Sequence, residues 1–201
     1  MEKEISSEIT CQYLTIDEYQ RDAVRTLKNS DSVKFNLLHM AAGLITEYGE
    51  LAVAIHNRDT VNTYEEVADL LWYVSNICTI QELDLHTFLD IPFVATPNIG
   101  VPMNTIVDDV LAKLLHALIE IIDILKKYCA YNNVAKLSGL NRYLLEIGMH
   151  CKEILEYTRA GSLEHALTVN ILKLRARYPE KFTEDSAINR NIAKELEVLK
   201  Q

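Results

Sequence analysis

Apolar residues recur every three or four positions along most of this 201-residue chain. That spacing places them on one face of an α-helix, so it constrains the fold more than any other feature of the sequence. Residues that break helices are rare, since the whole chain has six glycines and four prolines. No segment shows the alternating pattern of a half-buried strand. The sequence therefore predicts an all-α protein, built as a helical bundle.

Start signals refine the predicted helices. Thr15 with Glu18, and Thr63 with Glu66, have the spacing of a capping box, so each pair predicts the start of a helix. Ser162 can cap a later helix. We expect helices over residues 15–28, 32–57, 63–81, 85–90, 105–131, 138–158 and 162–177, with a final helix from residue 191.

One segment interrupts this pattern, because three of the four prolines fall within residues 91–104. We expect a single α-helical domain over residues 1–201, with this segment as a loop or linker. The parts of the chain on either side of this segment differ in charge and in their predicted helices. They are an acidic half over residues 13–90, an additional helical pair over residues 105–160, and a basic terminal helix and tail over residues 161–201.

Composition excludes several classes of protein. The net charge of −9 opposes a nucleic-acid-binding surface, which requires a basic face. No apolar run reaches the roughly 20 residues that span a bilayer, and the acidic start MEKEISSEITCQ is unlike a secretory signal. The four cysteines (Cys11, Cys78, Cys129 and Cys151) lack CxxC spacing, which favours reduced thiols. We expect a cytoplasmic protein that binds neither nucleic acid nor membrane.

Two pairs of carboxylates carry the strongest functional signal. Glu47 and Glu50 stand three residues apart in LITEYGELAVAIHN, and Glu66 and Asp69 stand three apart in TYEEVADLLWYVSN. Residues at this spacing share a helix face, so each pair forms a two-pronged acidic group. Two such pairs on neighbouring helices would bring four carboxylates together, and hard oxygen ligands suit Mg²⁺ or Mn²⁺.

The helical phase places both acidic pairs on the flanks of apolar stripes, half towards the core. Tyr73 and Asn76 continue the edge that carries the second pair, whereas Glu65 points almost opposite the core and is excluded as a ligand. A structural alternative remains at this point. Glu66 could act as a capping residue, Asp69 could complement the helix dipole, and the first pair could be solvated surface charges.

The same residues resemble a known family. EYGELAVAI followed by EEVADLLWYVSNI is similar to the paired ExxE and ExxD signature of the all-α nucleoside triphosphate pyrophosphohydrolases, the MazG-like proteins, which are related to dimeric dUTPases and dCTP pyrophosphatases. TIDEYQRDAVRTL resembles the opening helix of MazG-like proteins. NILKLRARYPEKFTEDSAINRN, near the carboxyl end, resembles their basic helix end and tail.

The resemblance implies a fold, a reaction and roles for individual residues. It implies a helical bundle that cleaves a (d)NTP between its α- and β-phosphates, giving a nucleoside monophosphate and pyrophosphate. Mg²⁺, or Mn²⁺, would be held by Glu47, Glu50, Glu66 and Asp69, with Glu47 as the proton acceptor. The candidate phosphate-binding residues are Lys173, Arg175, Arg177, Lys181 and Arg190, and the candidate sugar- or base-binding residues are Asn36, Tyr73 and Asn76.

Several alternatives stay open. The basic residues could instead complement the dipole at the end of their helix. Trp72 points away from the core stripe, towards an interface or a ligand, and His39 is interpreted as a core or interface residue. The function could be hydrolysis of a related phosphoanhydride, such as an alarmone or a phosphoribosyl nucleotide, or non-catalytic binding on the same scaffold. The resemblance also implies a homo-oligomer, either a dimer or a tetramer.

Residues 105–160 exceed a minimal family unit, and two interpretations are open. They are either an inserted helical hairpin or a degenerate second copy of the first half. LLHMAAGLI at residues 37–45 is similar to LLHALIEII at residues 114–122. At that offset Glu47 and Glu50 align with Ile124 and Lys127, so a second copy would have lost these acids. A duplication therefore predicts one metal site per chain.

Overall fold

The structure is a computed structural model that describes residues 13–92 and 100–199. Every regular element within those residues is helical, which confirms the all-α fold class. The acidic start of the chain with Cys11, and residues 93–99 of the proline-rich segment, lie outside the described residues. In the described part no helix is both long and apolar enough to cross a membrane.

The α-helices lie close to the predicted ranges. They are α1 Ile16–Ala23, α2 Val33–His56, α3 Thr60–Ile80, α4 His86–Leu89, α5 Met103–Tyr131, α6 Leu140–Thr158, α7 Leu163–Arg177, α8 Glu184–Ile188 and α9 Ile192–Leu199. Residues Val24–Thr26 form a 3-10 turn, so the first helix ends earlier than predicted. Helix α8 was not predicted, because its five residues are too few to show a period.

Capping explains where the helices begin. The capping box between Thr15 and Glu18 is present, as predicted. The second predicted box is wrong, because Asp59 caps α3 by accepting a hydrogen bond from the Asn62 backbone N–H. Thr63 instead lies inside the helix and donates its hydroxyl to the Asp59 carbonyl at 2.7 Å. Glu66 therefore has no capping role, which removes the structural alternative for this residue.

Four long helices form the centre of the molecule. Helix α2 packs against α3 and α5, and α6 packs against α5 and α3. Fully buried side chains such as Leu44, Leu70, Leu118 and Ile147 fill the space between them. The burial of these apolar side chains supplies the main force that holds the bundle together.

The shorter helices cover the sides of this bundle. Helix α7 packs against α3 and α1, α4 packs against α6, and α9 packs against α7. The additional pair α5 and α6 is therefore part of the central bundle, since α5 contacts α2 and α6 contacts α3. This arrangement leaves α7, with its basic residues, directly beside the acidic helix α3.

Candidate functional site

Three of the four predicted acidic ligands meet between α2 and α3. One carboxylate oxygen each from Glu47, Glu66 and Asp69 lies within 4.8 Å of the others. The two helices approach closely here because Gly43 of α2 has no side chain. A Cβ atom at that position would lie 2.0 Å from Cε1 of Tyr73 on α3. Close packing of the two helices thus brings the acids together.

Glu50 is placed differently from the other three acids. Its side chain is exposed on α2, and it lies outside the compact acidic cluster. It remains near enough for its charge to raise the pKa values of Glu47 and Glu66. With Glu66 it also lines a groove on the side of the cluster that faces Asn62. Its predicted role as a ligand therefore stays a prediction.

The acids crowd one another in a poorly hydrated place. Burial, followed by the charge of Asp69, raises the pKa of Glu47 well above its ordinary value. Burial and the charges of Asp69 and Glu47 likewise raise the pKa of Glu66. Clustered carboxylates repel one another, and a hard divalent cation between them relieves that repulsion. The three acids therefore fit Mg²⁺ or Mn²⁺ by their oxygen chemistry.

Helix α7 supplies partners for Asp69. Its carboxylate accepts hydrogen bonds from Nδ2 of Asn170 and from Nζ of Lys173, both at 2.5 Å. Lys173 also donates to Glu65 at 3.1 Å. The predicted orientation of Glu65 away from the core is wrong, because α7 packs against the face of α3 that carries it. Glu65 is still not a member of the acidic cluster.

Lys173 is the buried cation of the site, with 2% of its surface exposed. Burial opposes its charge, but the charges of Asp69 and Glu65 outweigh that effect and raise its pKa. The ammonium group therefore stays protonated at neutral pH. Behind it, the buried hydroxyl of Tyr19 lies 3.2 Å from Oδ1 of Asn170, which fixes the amide with Nδ2 towards Asp69.

A cavity of about 220 Å³ opens onto the acids. Its wall combines acidic, basic and aromatic side chains from α2, α3, α7 and two loops. The lining residues are Thr26, Lys28, His39, Glu47, Asp69, Trp72, Tyr73, Lys173, Leu174, Arg177, Tyr178 and Phe182. Glu47 and Asp69 thus face the same space as Lys173 and Arg177, whereas Glu66 lines the neighbouring groove with Glu50.

The five predicted phosphate-binding residues separate into two groups. Lys173 and Arg177 line the cavity. Arg175 does not, since it is exposed and forms an ion pair with Asp22 of α1. Lys181 and Arg190 are exposed and also lie outside the cavity wall. For these three residues the structure gives no contact with the site.

The predicted sugar- and base-binding residues also separate. Tyr73 lines the cavity, and burial together with the charge of Glu47 raises the pKa of its phenol. Asn76 is fully buried and donates to the Trp72 carbonyl, away from the cavity wall. Asn36 is buried as well, and its amide holds the loop before α2 through Asn29 and Ser30. The structure therefore brings one of the three to the cavity.

Two aromatic residues have a more definite place than the sequence indicated. His39 is half-buried and lines the cavity, so its interpretation as a core residue is wrong, and a place at an interface stays a prediction. The helical phase of α2 alone does not show that α3, α7 and the 3-10 turn after α1 enclose a cavity beside His39. Trp72 also lines the cavity, with its ring 4.9 Å from that of Tyr73 and its indole N–H bonded to Thr26.

Sequence reasoning missed Asn170, Lys28 and Phe182. Asn170 could have been found, because it stands three residues before Lys173 and so shares its helix face. Lys28 and Phe182 come from loops that meet where the Phe182 backbone N–H donates to the Arg25 carbonyl at 3.2 Å. No periodic pattern marks residues in such loops.

One comparison with known proteins matches this site. Residues 35–95 match the family model of the MazG nucleotide pyrophosphohydrolase domain. The matched segment includes α2 from Phe35 onwards, all of α3, and α4, so it contains every member of the acidic cluster. No match was found among curated proteins or among solved structures. The resemblance is thus confirmed for residues 35–95, which are similar to the MazG nucleotide pyrophosphohydrolase domain.

Proposed function

We propose that this protein is a Mg²⁺-dependent nucleoside triphosphate pyrophosphohydrolase. It cleaves a (d)NTP between the α- and β-phosphates and releases a nucleoside monophosphate and pyrophosphate. One observation carries the proposal: Glu47 and Asp69 of the acidic cluster, which lie in the MazG-like segment, line the same cavity as the buried cation Lys173. A triphosphate needs both, because cations must offset its charge and protein bases must orient it.

Glu47, Glu66 and Asp69 are the residues that would hold the metal, with Glu50 at the edge of the cluster. A bound Mg²⁺ supplies charge neutralisation at phosphate oxygens and lowers the pKa of an attacking water. The protein holds the three acids on two packed helices, so their spacing is set before any ligand arrives.

Glu47 is the proposed proton acceptor. Its carboxylate lines the cavity, where a general base must lie to reach an attacking water. Asp69 is less suited to that role, because Asn170 and Lys173 already occupy its oxygens. We therefore assign the proton of the attacking water to Glu47.

Lys173 and Arg177 are the proposed phosphate-binding residues. Both line the cavity from α7. Charge-assisted hydrogen bonds from an ammonium and a guanidinium group stabilise the negative charge that develops on departing pyrophosphate. Trp72, Tyr73 and Phe182 form the aromatic part of the wall, which suits the flat face of a base.

We also propose that the protein works in the cytoplasm as a homo-oligomer. Large apolar side chains are exposed along α2, where Phe35 and Val53 each keep 60% of their surface accessible. Such side chains support an interface between copies of the chain. Light scattering on a sizing column measures the mass, and a monomer at all concentrations would contradict this part of the proposal.

The proposed function is tested with a panel of canonical and modified nucleotides, with product identification in Mg²⁺ and in EDTA. We expect pyrophosphate and a monophosphate from at least one member, in Mg²⁺ alone. Glu47→Gln and Asp69→Asn should lower kcat at least about 100-fold. Glu156→Gln, an exposed acid on α6, is the matched control. If no nucleotide of the panel is turned over, the proposed function is wrong, and the alternative of a non-catalytic binding protein is favoured.

A further inference from the structure

The last helix carries a buried carboxylate to which the proposed reaction gives no role. Glu195 of α9 is 3% exposed and accepts hydrogen bonds from two arginines. Arg177 donates from Nε at 3.0 Å and from Nη2 at 2.5 Å, and Arg190 donates from Nη2 at 2.7 Å. A bidentate contact of this kind fixes the plane of a guanidinium group.

The position of Glu195 relative to the cavity shows what this contact can do. Arg177 lines the cavity, whereas Glu195 is not among the lining residues. The carboxylate therefore lies behind the guanidinium group as seen from the cavity. If Glu195 instead blocked the position of a substrate phosphate, its carboxylate would line the cavity. The two contacts use Nε and Nη2, so Nη1 is the part of Arg177 that Glu195 does not engage.

The second arginine, Arg190, lies outside the cavity wall and adds a second positive charge beside Glu195. One carboxylate is shared by two guanidinium groups, so the three side chains together keep a net positive charge. Burial opposes ionisation of Glu195, but the hydrogen bonds from Arg177 and Arg190 outweigh it and lower its pKa to about 2. Arg190 is the outer partner, with 45% of its side chain exposed against 17% for Arg177.

Helix α9 is anchored at its other end as well. Leu199 is 4% exposed, and its carbonyl accepts a hydrogen bond from the hydroxyl of Tyr64 on α3. Tyr64 stands directly before Glu65 and Glu66, which face Lys173 and the acidic cluster respectively. Helix α9 therefore connects the helix that carries the acids with the helix that carries the bases.

We propose that Glu195 is a positioning residue for polyphosphate binding, which holds Arg177 so that Nη1, the nitrogen that Glu195 does not engage, can bind phosphate in the cavity. It acts through Arg177 and does not contact the substrate. The carboxyl-terminal helix is thus a working part of the site. This inference rests on the proposed function, because it concerns how the same cavity binds a chain of phosphates.

The experiment measures binding of inorganic triphosphate to the full chain in Mg²⁺ by calorimetry, alongside steady-state kinetics with the best nucleotide. Glu195→Gln should raise the triphosphate Kd and the nucleotide KM about tenfold, because Arg177 is no longer held in place. The value of kcat should change less than about twofold. Glu195→Asp, which keeps the charge, should recover part of the affinity. Glu197→Gln, an exposed acid on the same helix, should bind as the original protein does.

A double-mutant comparison tests whether Glu195 affects triphosphate binding through Arg177. Arg177→Lys and Glu195→Gln should not be additive when combined, since both remove the same contact. Unchanged or tighter triphosphate binding in both Glu195 variants would overturn the inference, and so would an equal loss in Glu197→Gln. Circular dichroism checks each fold, and Glu195→Asp decides the question if Glu195→Gln does not fold.

The two proposals fail in different ways. If nucleotides are turned over normally by both Glu195 variants, the inference is wrong and the proposed function stands. If no nucleotide is turned over but triphosphate binding still depends on Glu195, the proposed function is wrong and the inference stands. If the original protein binds no triphosphate, the inference is wrong, and the nucleotide panel alone decides the proposed function.

Discussion

Asp69 is the residue at which the acidic and basic parts of the site meet. It belongs to the carboxylate cluster, and it is also hydrogen-bonded by Asn170 and Lys173 from another helix. Lys173 therefore offsets the negative charge of Asp69 and of Glu65, beside the cluster that Asp69 shares with Glu47 and Glu66. This balance between buried charges decides how single substitutions act here.

The first residue-scale prediction concerns Lys173. Lys173→Met should destabilise the metal-free protein by about 3 kcal/mol, because it leaves Asp69 and Glu65 without a buried cation. Added Mg²⁺ should recover part of that loss. Lys126→Met removes an exposed lysine that pairs with Asp123, and it should cost less than about 1 kcal/mol. Urea unfolding with and without Mg²⁺ measures both, and equal costs for the two variants would contradict the prediction.

The second residue-scale prediction concerns pH. The pKa values of Glu47 and Glu66 are raised, so both acids hold protons above the ordinary carboxyl pKa of about 4.3. A metal must displace those protons, so its affinity should rise with pH across that range and level off once both acids are ionised. Mn²⁺ titrations at several pH values measure this, with proton release as a second readout. An affinity independent of pH would contradict the raised pKa values.

At the scale of elements, the site depends on how closely the helices pack against one another, more than on which segments are helical. The individual helices were largely predictable, because capping residues and apolar periodicity are local properties. Their close approaches depend on single small residues. Gly43 admits the Tyr73 ring between α2 and α3, and Gly148 of α6 would place a Cβ atom 2.4 Å from the Phe88 carbonyl oxygen.

The element-scale prediction uses this second glycine. Gly148→Ala should destabilise the protein by about 2 kcal/mol, because the added methyl meets backbone of α4 that cannot rotate away. Gly49→Ala is the matched control, since a Cβ atom there meets nothing within 4 Å. It should stabilise α2 by about 0.5 kcal/mol. Thermal unfolding measures both changes. An unchanged stability of Gly148→Ala would contradict the prediction and show that α4 can shift at little cost.

At the scale of the whole molecule, the helices occur in two similar series. Helices α2, α3 and α4 are followed by α5, α6 and α7, and the last helix of each series packs on the other, α7 on α3 and α4 on α6. This exchange is what a pseudo-twofold relation between the halves predicts. It supports the degenerate second copy, which stays a hypothesis. At the offset of the sequence similarity, Glu47 aligns with Ile124, which is 6% exposed.

The whole-molecule prediction is a single metal-binding cluster per chain. Within residues 13–92 and 100–199 the acids of α2 and α3 are the one group that could hold an ion. Mn²⁺ titrated into the protein and followed by electron paramagnetic resonance should therefore fill one metal-binding cluster per chain and then stop binding. Asp69→Asn should remove or strongly weaken all of it. A second class of sites that survives Asp69→Asn would contradict both the prediction and the loss of acids from the second half.

Local properties of the sequence determined the all-α class, the bounds of most helices and the pairing of Glu47 with Glu50 and of Glu66 with Asp69. Spacing of three or four residues is enough for these, because it depends on the geometry of one helix. Only the tertiary structure decided which side chains meet across helices. It brought Glu65 to Lys173, placed His39 in the cavity, and turned Arg175 away from it. These outcomes depend on how neighbouring helices pack, which no single helix specifies.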